Sequence, residues 1–271
     1  MSTLVPTKIG RLNVTDGGHG PATVFWHSLF VDQSSWRLVF EALRGRRRII
    51  AIDAPNHGRS EPVEHDFTID DCAAAACVVL DHLDVVGPVD WVGNALGGHV
   101  GITLAAAKPE RVNSLVTIGT PVESFGLIQK WTQIVPLVQL YRAFGPNAVD
   151  QILTKTLLGA DAEAAQPELS RQTIDAFRNA DRQAMLRAMR CLMLRRHSLR
   201  DHIVRVIAPT LFLVPQGGQE GWTPSKSAEA ARTMKNATSE TLPGTGHIAP
   251  LVVAPTLLAE RLEKFWAASA R

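Results

Sequence analysis

The stretch Val89-Asp90-Trp91-Val92-Gly93-Asn94-Ala95-Leu96-Gly97-Gly98-His99-Val100-Gly101 constrains the fold of this chain more than any other. It joins a short apolar run to the helix-forming Ile102-Thr103-Leu104-Ala105-Ala106-Ala107 through a corner crowded with glycine. A strand that must turn into a helix over so few residues needs small side chains flanking the bend, and Gly93, Gly97 and Gly98 supply them. A corner of this kind lifts one side chain above the edge of the sheet, and that residue is Ala95.

The rest of the chain supplies a sheet for this corner to belong to. Ala22–Trp26, Arg48–Asp53, Asn113–Ile118 and Pro209–Val214 are apolar runs of strand length, as expected of strands buried on both faces. Lys8–Val14 is expected to be a strand, with a turn at Asp16-Gly17-Gly18, and Ala237–Leu242 another strand. Helices are expected at Trp36–Leu43, from Thr68 to about Leu83, near Ser225–Met234 and at Thr256–Ala267. Thr68 with Asp71 three residues on has the spacing of a capping box. Strands alternating with helices imply right-handed crossovers and a mainly parallel α/β sheet, in which ligands bind beyond the carboxyl ends of the strands.

From Pro121 to about Arg205 the alternation stops. Leu127–Ala143, Ala148–Leu158, Leu169–Asn179 and Arg182–Arg196 are expected to be helices, broken at Pro136, Gly145-Pro146 and Gln166-Pro167. The organisation expected is a core in two parts, residues 1–120 and 206–271, with a helical lid over 121–205 inserted between two strands.

With 271 residues, 45% of them hydrophobic, the chain can bury a large interior. A net charge of +2 is too small to point to nucleic acid or an anionic membrane as partner. The basic run Arg44-Gly45-Arg46-Arg47-Arg48 is expected to be a solvated loop. Three cysteines, Cys72, Cys77 and Cys191, cannot all pair and lack metal-ligand spacing, so a reduced, cytoplasmic protein without structural metal is expected. No export signal or membrane span is expected.

Three further motifs fall in order around the corner. Trp26-His27-Ser28-Leu29 is similar to a His-Gly oxyanion loop, with Ser28 where glycine is usual. Asp53-Ala54-Pro55-Asn56-His57-Gly58-Arg59-Ser60 is similar to an Asp-x-Pro-Gly-His-Gly-x-Ser turn, with Asn56 in place of a glycine. Gly244-Thr245-Gly246-His247 is similar to a Gly-x-Gly-His loop. On these motifs the chain resembles the α/β-hydrolase family from about Val14 onward, and specifically its serine members with helical lids: enol-lactonases, esterases and meta-cleavage-product C–C hydrolases.

The resemblance assigns roles. The lifted residue is the nucleophilic serine in a G-x-S-x-G elbow, and here Ala95 holds that position. Two origins fit: a nucleophile replaced for study, or a natural member that does not use covalent catalysis. His247 matches the catalytic base. Glu220, in Gly217-Gly218-Gln219-Glu220, matches the acid with glutamate for aspartate, oriented through the Nδ1 proton of the imidazole. Glu123 is the alternative acid. The backbone N–H groups of Leu29 and Leu96 are the expected oxyanion donors.

His27, Ser28, Asn94, Trp131, Tyr141, Met189, Arg190 and Trp222 are expected to contact substrate. Phe177, Met185 and Met193 complete an apolar set in the lid, and Arg187 or Arg190 would suit a carboxylate if it faced inward. The expected activity is hydrolysis of a small, mostly apolar ester, lactone or activated C–C bond, impaired by Ala95, with no cofactor and no metal. The alternative is a ligand-binding protein, or an enzyme using His247 as base without an acyl intermediate. Oligomeric state is not readable.

Overall fold

The computed structural model describes residues 2–43, 45–218 and 220–269. Eight strands form one sheet in the order β1-β2-β4-β3-β5-β6-β7-β8, with β1 (Ser2–Thr7) and β2 (Gly10–Gly17) antiparallel. The other six pair in parallel: β3 (Ala22–Trp26), β4 (Arg48–Ile52), β5 (Val89–Asn94), β6 (Val112–Ile118), β7 (Thr210–Pro215) and β8 (Ala237–Leu242). The chain order reverses at β3, whose neighbours are β4 on one side and β5 on the other. A crevice for ligand opens beyond the carboxyl ends of strands at such a reversal.

Side-chain alternation along the central strands builds two cores. Phe25, Val92, Val116 and Leu213 face Leu43 of α1 (Arg37–Leu43) and Leu262 of the C-terminal helix. Val24, Trp91, Leu115 and Phe212 face the opposite layer, with α2 (Ile69–His82) and α3 (Leu96–Ala107). The capping box at Thr68 forms in full: Thr68 Oγ1 accepts from Asp71 N–H at 3.1 Å, and Asp71 Oδ2 accepts from Thr68 N–H at 2.9 Å. Thr68→Ala is expected to lower the unfolding free energy by about 1 kcal/mol, measured by urea denaturation.

Between β6 and β7 lie α4 (Leu127–Gln129), α5 (Val135–Phe144), α6 (Asp150–Leu157), α7 (Gly159–Ala165), α8 (Pro167–Arg178), α9 (Arg182–Ala188) and α10 (Arg200–Ile203). A π-helical turn, Lys130–Ile134, fuses α4 to α5, and a second, Met189–Leu194, extends α9. After β7 come α11 (Pro224–Arg232), α12 (Ala249–Val253) and α13 (Pro255–Ser269).

Two expectations need correction. The first strand, β1, is not among those expected; its Pro6 lies at the sheet's edge, where an absent N–H costs little. Lys8 and Ile9 form the turn between β1 and β2 rather than beginning a strand, and β2 runs on to Gly17. The basic run is a solvated loop only in part: Gly45 and Arg46 are exposed, but Arg47 and Arg48 are not. Arg47 is buried, donates to Asp90 at 2.6 Å and lies over the Trp266 ring at 3.8 Å, while Arg48 makes two bonds to Asp16 at 3.0 and 2.8 Å. Arg44 of that run lies outside the described residues.

Candidate active site

Ala95 stands between β5 and α3 at φ 45°, ψ −101°, a positive φ that a residue with a Cβ adopts only under strain of about 1–3 kcal/mol. Its N–H donates to the Ile118 carbonyl at 2.8 Å, which fixes the bend to the end of β6. The glycines on either side are there for contact. A Cβ on Gly93 would lie 2.2 Å from the carbonyl of Gly97, and one on Gly98 would lie 2.1 Å from Thr120 Oγ1. At the start of α3 the Gly97 N–H donates to the His27 carbonyl and the Gly98 and His99 N–H groups to the Ala95 carbonyl, whereas the Leu96 N–H, without an intrahelical acceptor, borders the space above the elbow.

The loop at Leu29 is held against this elbow by neutral histidines of defined tautomer. Gly97 N–H donates to the His27 carbonyl at 3.2 Å. His27 Nε2 accepts from Ala54 N–H at 2.8 Å, so its Nδ1 carries the proton and donates to the Ser28 carbonyl at 2.7 Å. His57 is arranged likewise: its Nε2 accepts from Phe30 N–H at 3.3 Å and its Nδ1 donates to the Pro55 carbonyl at 2.9 Å. The turn beneath is tied by Asp53, which accepts from Asn13, from Gln33 and from Arg59 N–H. Asn56 replaces glycine at φ 66°, a left-handed position that asparagine tolerates best among residues with a Cβ.

His247 arrives from the loop after β8. Its N–H donates to the Thr156 carbonyl at 3.0 Å, and its carbonyl accepts from Asn94 Nδ2 at 2.8 Å. The residue before the elbow therefore grips the histidine's backbone. Glu220, at φ 50° on the loop after β7, places Oε1 3.6 Å from His247 Nε2. Its other oxygen, Oε2, accepts from Arg196 Nη1 at 2.8 Å. Burial raises the proton affinity of Glu220, but the Arg196 charge and then His247 outweigh it and bring the carboxyl down to about 2.

Ala95, Leu96, Ser28, Leu29, Glu220 and His247 line one cavity of about 880 Å³. That volume suits a small molecule. Its far wall comes from the helices between β6 and β7, including Leu137, Leu140, Leu153 and Met193. Arg196 and His99 complete the floor around the acid and the histidine. Neither stands among the residues expected from sequence. His99 follows Ala95 by four positions, one helical turn, and that spacing is a usable signal for a shared face.

Several expected residues stand elsewhere. His27 and Asn94 are buried in the hydrogen bonds just described, beneath the cavity wall. Trp131 is 66% exposed on the outer face of its helix. Tyr141 packs on Phe177, with ring centroids 5.7 Å apart, and Met189 is wholly buried behind the wall. Trp222 packs against Phe212 at 6.1 Å, Arg190 faces Asp66 at 3.8 Å outside, and Arg187 donates to the Val63 carbonyl. Of the apolar set expected in the lid, Met193 lines the cavity, whereas Phe177 and Met185 are core. Glu123 pairs with Arg200 and does not line the cavity. Glu220 approaches His247 through Nε2; Nδ1 is buried without a partner, so the expected orientation through the Nδ1 proton is not what forms. Gln219 lies outside the described residues.

A family model described as the alpha/beta hydrolase family matches residues 23–261. The chain belongs to the alpha/beta hydrolase family. The chain is 28% identical over 249 residues, 88% of its length, to a dihydrolipoyllysine-residue acetyltransferase component of the acetoin cleaving system from Pseudomonas putida, of which the match spans 61%. It is 34% identical over 141 residues to a 2-hydroxymuconate semialdehyde hydrolase from Pseudomonas sp. (strain CF600), spanning 50% of this chain and 47% of that relative. Against a pimeloyl-[acyl-carrier protein] methyl ester esterase from Vibrio vulnificus (strain CMCP6) it is 25% identical over 254 residues, covering 92% of this chain and 95% of the other. The enol-lactonase structure from Burkholderia xenovorans LB400 superposes with a TM-score of 0.87 at 20% identity, covering 98% of this chain and 100% of that chain, a likeness that speaks for the fold. No helix among the described residues is long and apolar enough to cross a membrane.

Burial of two histidines makes this fold acid-sensitive. Burial pushes His57 down to about 3; burial and then the Arg196 charge do the same to His99. Both stay neutral when folded but bind a proton near 6.5 when unfolded, so stability is full above that pH and is lost as pH falls toward 3. From pH 6 to pH 4 each is expected to cost roughly 2–3 kcal/mol. Melting temperature measured across that range should fall, and His99→Gln should flatten the fall.

Proposed function

We propose that the cavity is a hydrolytic site for a small, mostly apolar ester, lactone or activated C–C bond, covered by residues 121–205 acting as a lid. The observation that carries this reading is that the elbow residue, the Leu96 end of α3, the Leu29 loop and the His247–Glu220 pair all border one cavity. An oxygen at position 95 would attack the carbonyl carbon and pass its proton to His247, which returns it to the leaving group. The oxyanion formed would meet the N–H groups of Leu29 and Leu96. Ala95 has no atom for the attack, so the chain as it stands is impaired in this chemistry. Three cysteines free of disulfides support a reducing compartment.

The test compares Ala95→Ser with Ala95→Ser/His247→Ala on short activated esters and lactones: turnover should appear in the first and vanish in the second. One observation favours a second reading, a ligand-binding protein or an enzyme without an acyl intermediate: Glu220 is hydrogen-bonded to Arg196 and only approaches His247 Nε2, at 3.6 Å, while His247 Nδ1 has no partner. Under that reading ligand affinity or activity is present with Ala95 unchanged and is lost in His247→Ala.

A further inference from the structure

Two cationic or ionisable groups compete for one carboxylate. Arg196 Nη1 stands 2.8 Å from Glu220 Oε2, a hydrogen bond, while the nearest His247 nitrogen is 3.6 Å from Oε1, beyond one. We propose that Arg196 is a positioning residue that holds Glu220 away from His247 and so weakens the base; this rests on the hydrolase reading of the site.

The guanidinium is built into place. Its side chain is 7% exposed, it lies over the Phe125 ring at 3.8 Å, and Nη2 reaches the Glu123 carbonyl at 3.3 Å. Its Nε is buried with no partner, so the Glu220 bond is the short polar contact that fixes its orientation. Glu220 meets it from a left-handed backbone at φ 50°, a conformation that costs energy and is kept where surroundings impose it. His247 is anchored by its backbone through Thr156 and Asn94, not by its ring.

The ionisable groups around the His247 ring are Glu220 from the loop after β7, Arg196 from the end of the insertion and His99 from α3, and Lys155 of α6 lines the same cavity. His99 is neutral and the Arg196–Glu220 pair sums to zero, which leaves Lys155 as the other charged side chain on that wall. Proton transfer to His247 creates an imidazolium. A shared carboxylate attracts that ion less than a dedicated one would, and the guanidinium repels it.

The experiment places Arg196→Met, Arg196→Gln and Arg196→Lys in the A95S background and follows kcat/KM for a p-nitrophenyl ester against pH. Freed from arginine, Glu220 turns to His247, and the acidic limb of the profile moves to higher pH by about one unit in R196M and R196Q. R196K keeps the charge without the planar fork and moves the limb by less than half as much. A fixed limb, or one that moves down, in a folded variant overturns the proposal, even if kcat falls. The same comparison in the chain bearing Ala95, read from the His247 ring resonances by NMR, requires no turnover and should show the same upward displacement from parent to R196M. Inactive A95S together with that displacement would end the hydrolase reading and leave the Arg196 proposal standing; active A95S with a fixed limb does the reverse.

Discussion

Ala95→Ser is expected to raise kcat/KM for p-nitrophenyl acetate at pH 8 by roughly 10³-fold or more. Everything else that acyl transfer needs already borders the cavity: a histidine, a carboxylate held ionised, and backbone donors at a helix N-terminus. The substitution adds one oxygen at a residue on the cavity wall, so it displaces no core atom. The backbone is already bent for it, with Ala95 at φ 45°. Deleting the nucleophile of a serine protease costs about 10⁶ in kcat, and a smaller recovery is expected here because Arg196 shares the acid. A folded A95S protein with the parent's rate would show that the elbow does not present its residue to His247.

Gly97→Ala is expected to remove a large share of the protein's folding stability, about 4 kcal/mol or more of a typical ~5–15 kcal/mol. A Cβ at this position would sit 2.0 Å from the Trp26 carbonyl oxygen and 2.6 Å from its carbon. Both are backbone atoms of a central strand and cannot yield as a flexible side chain would. Moving α3 away instead would break the Gly97 N–H bond to His27 and the Trp91 Nε1 bond to the Gly97 carbonyl, at 3.2 and 3.0 Å. Gly126→Ala is the control: its φ is −60° and nothing stands within 4 Å of an added Cβ. Urea denaturation should show G126A within about 1 kcal/mol of the parent and G97A far below it. A parent-like midpoint for G97A would mean that the helix does not approach β3 as closely as described.

The elements that sequence exposed best are those whose physics is local. The glycine corner, the Thr68 box and the apolar central strands each depend on neighbours a few residues away, and each forms where expected. The four motifs converge because the carboxyl ends of β3, β4 and β5 and the loop after β8 meet at one rim, a property of the family's topology. What sequence hid is which face of each inserted helix turns inward. Arg187 and Arg190 turn to the Val63 carbonyl and to Asp66, away from the cavity, while Arg196, two residues beyond the π-turn Met189–Leu194, lines it. Trp131 faces out from within the π-turn Lys130–Ile134. The choice of Arg196 over His247 by Glu220 is likewise a tertiary fact: the two partners lie 24 and 27 residues away on opposite sides of it in the chain.

The central claim is that position 95 stands at a bend facing His247 across a covered cavity, and trapping with a small alkyl fluorophosphonate tests it most directly. Intact-mass measurement of A95S should show one adduct per chain, mapped to position 95, with none on the parent and none on A95S/H247A. A folded A95S protein that takes no adduct, or takes it at another residue, would contradict the account.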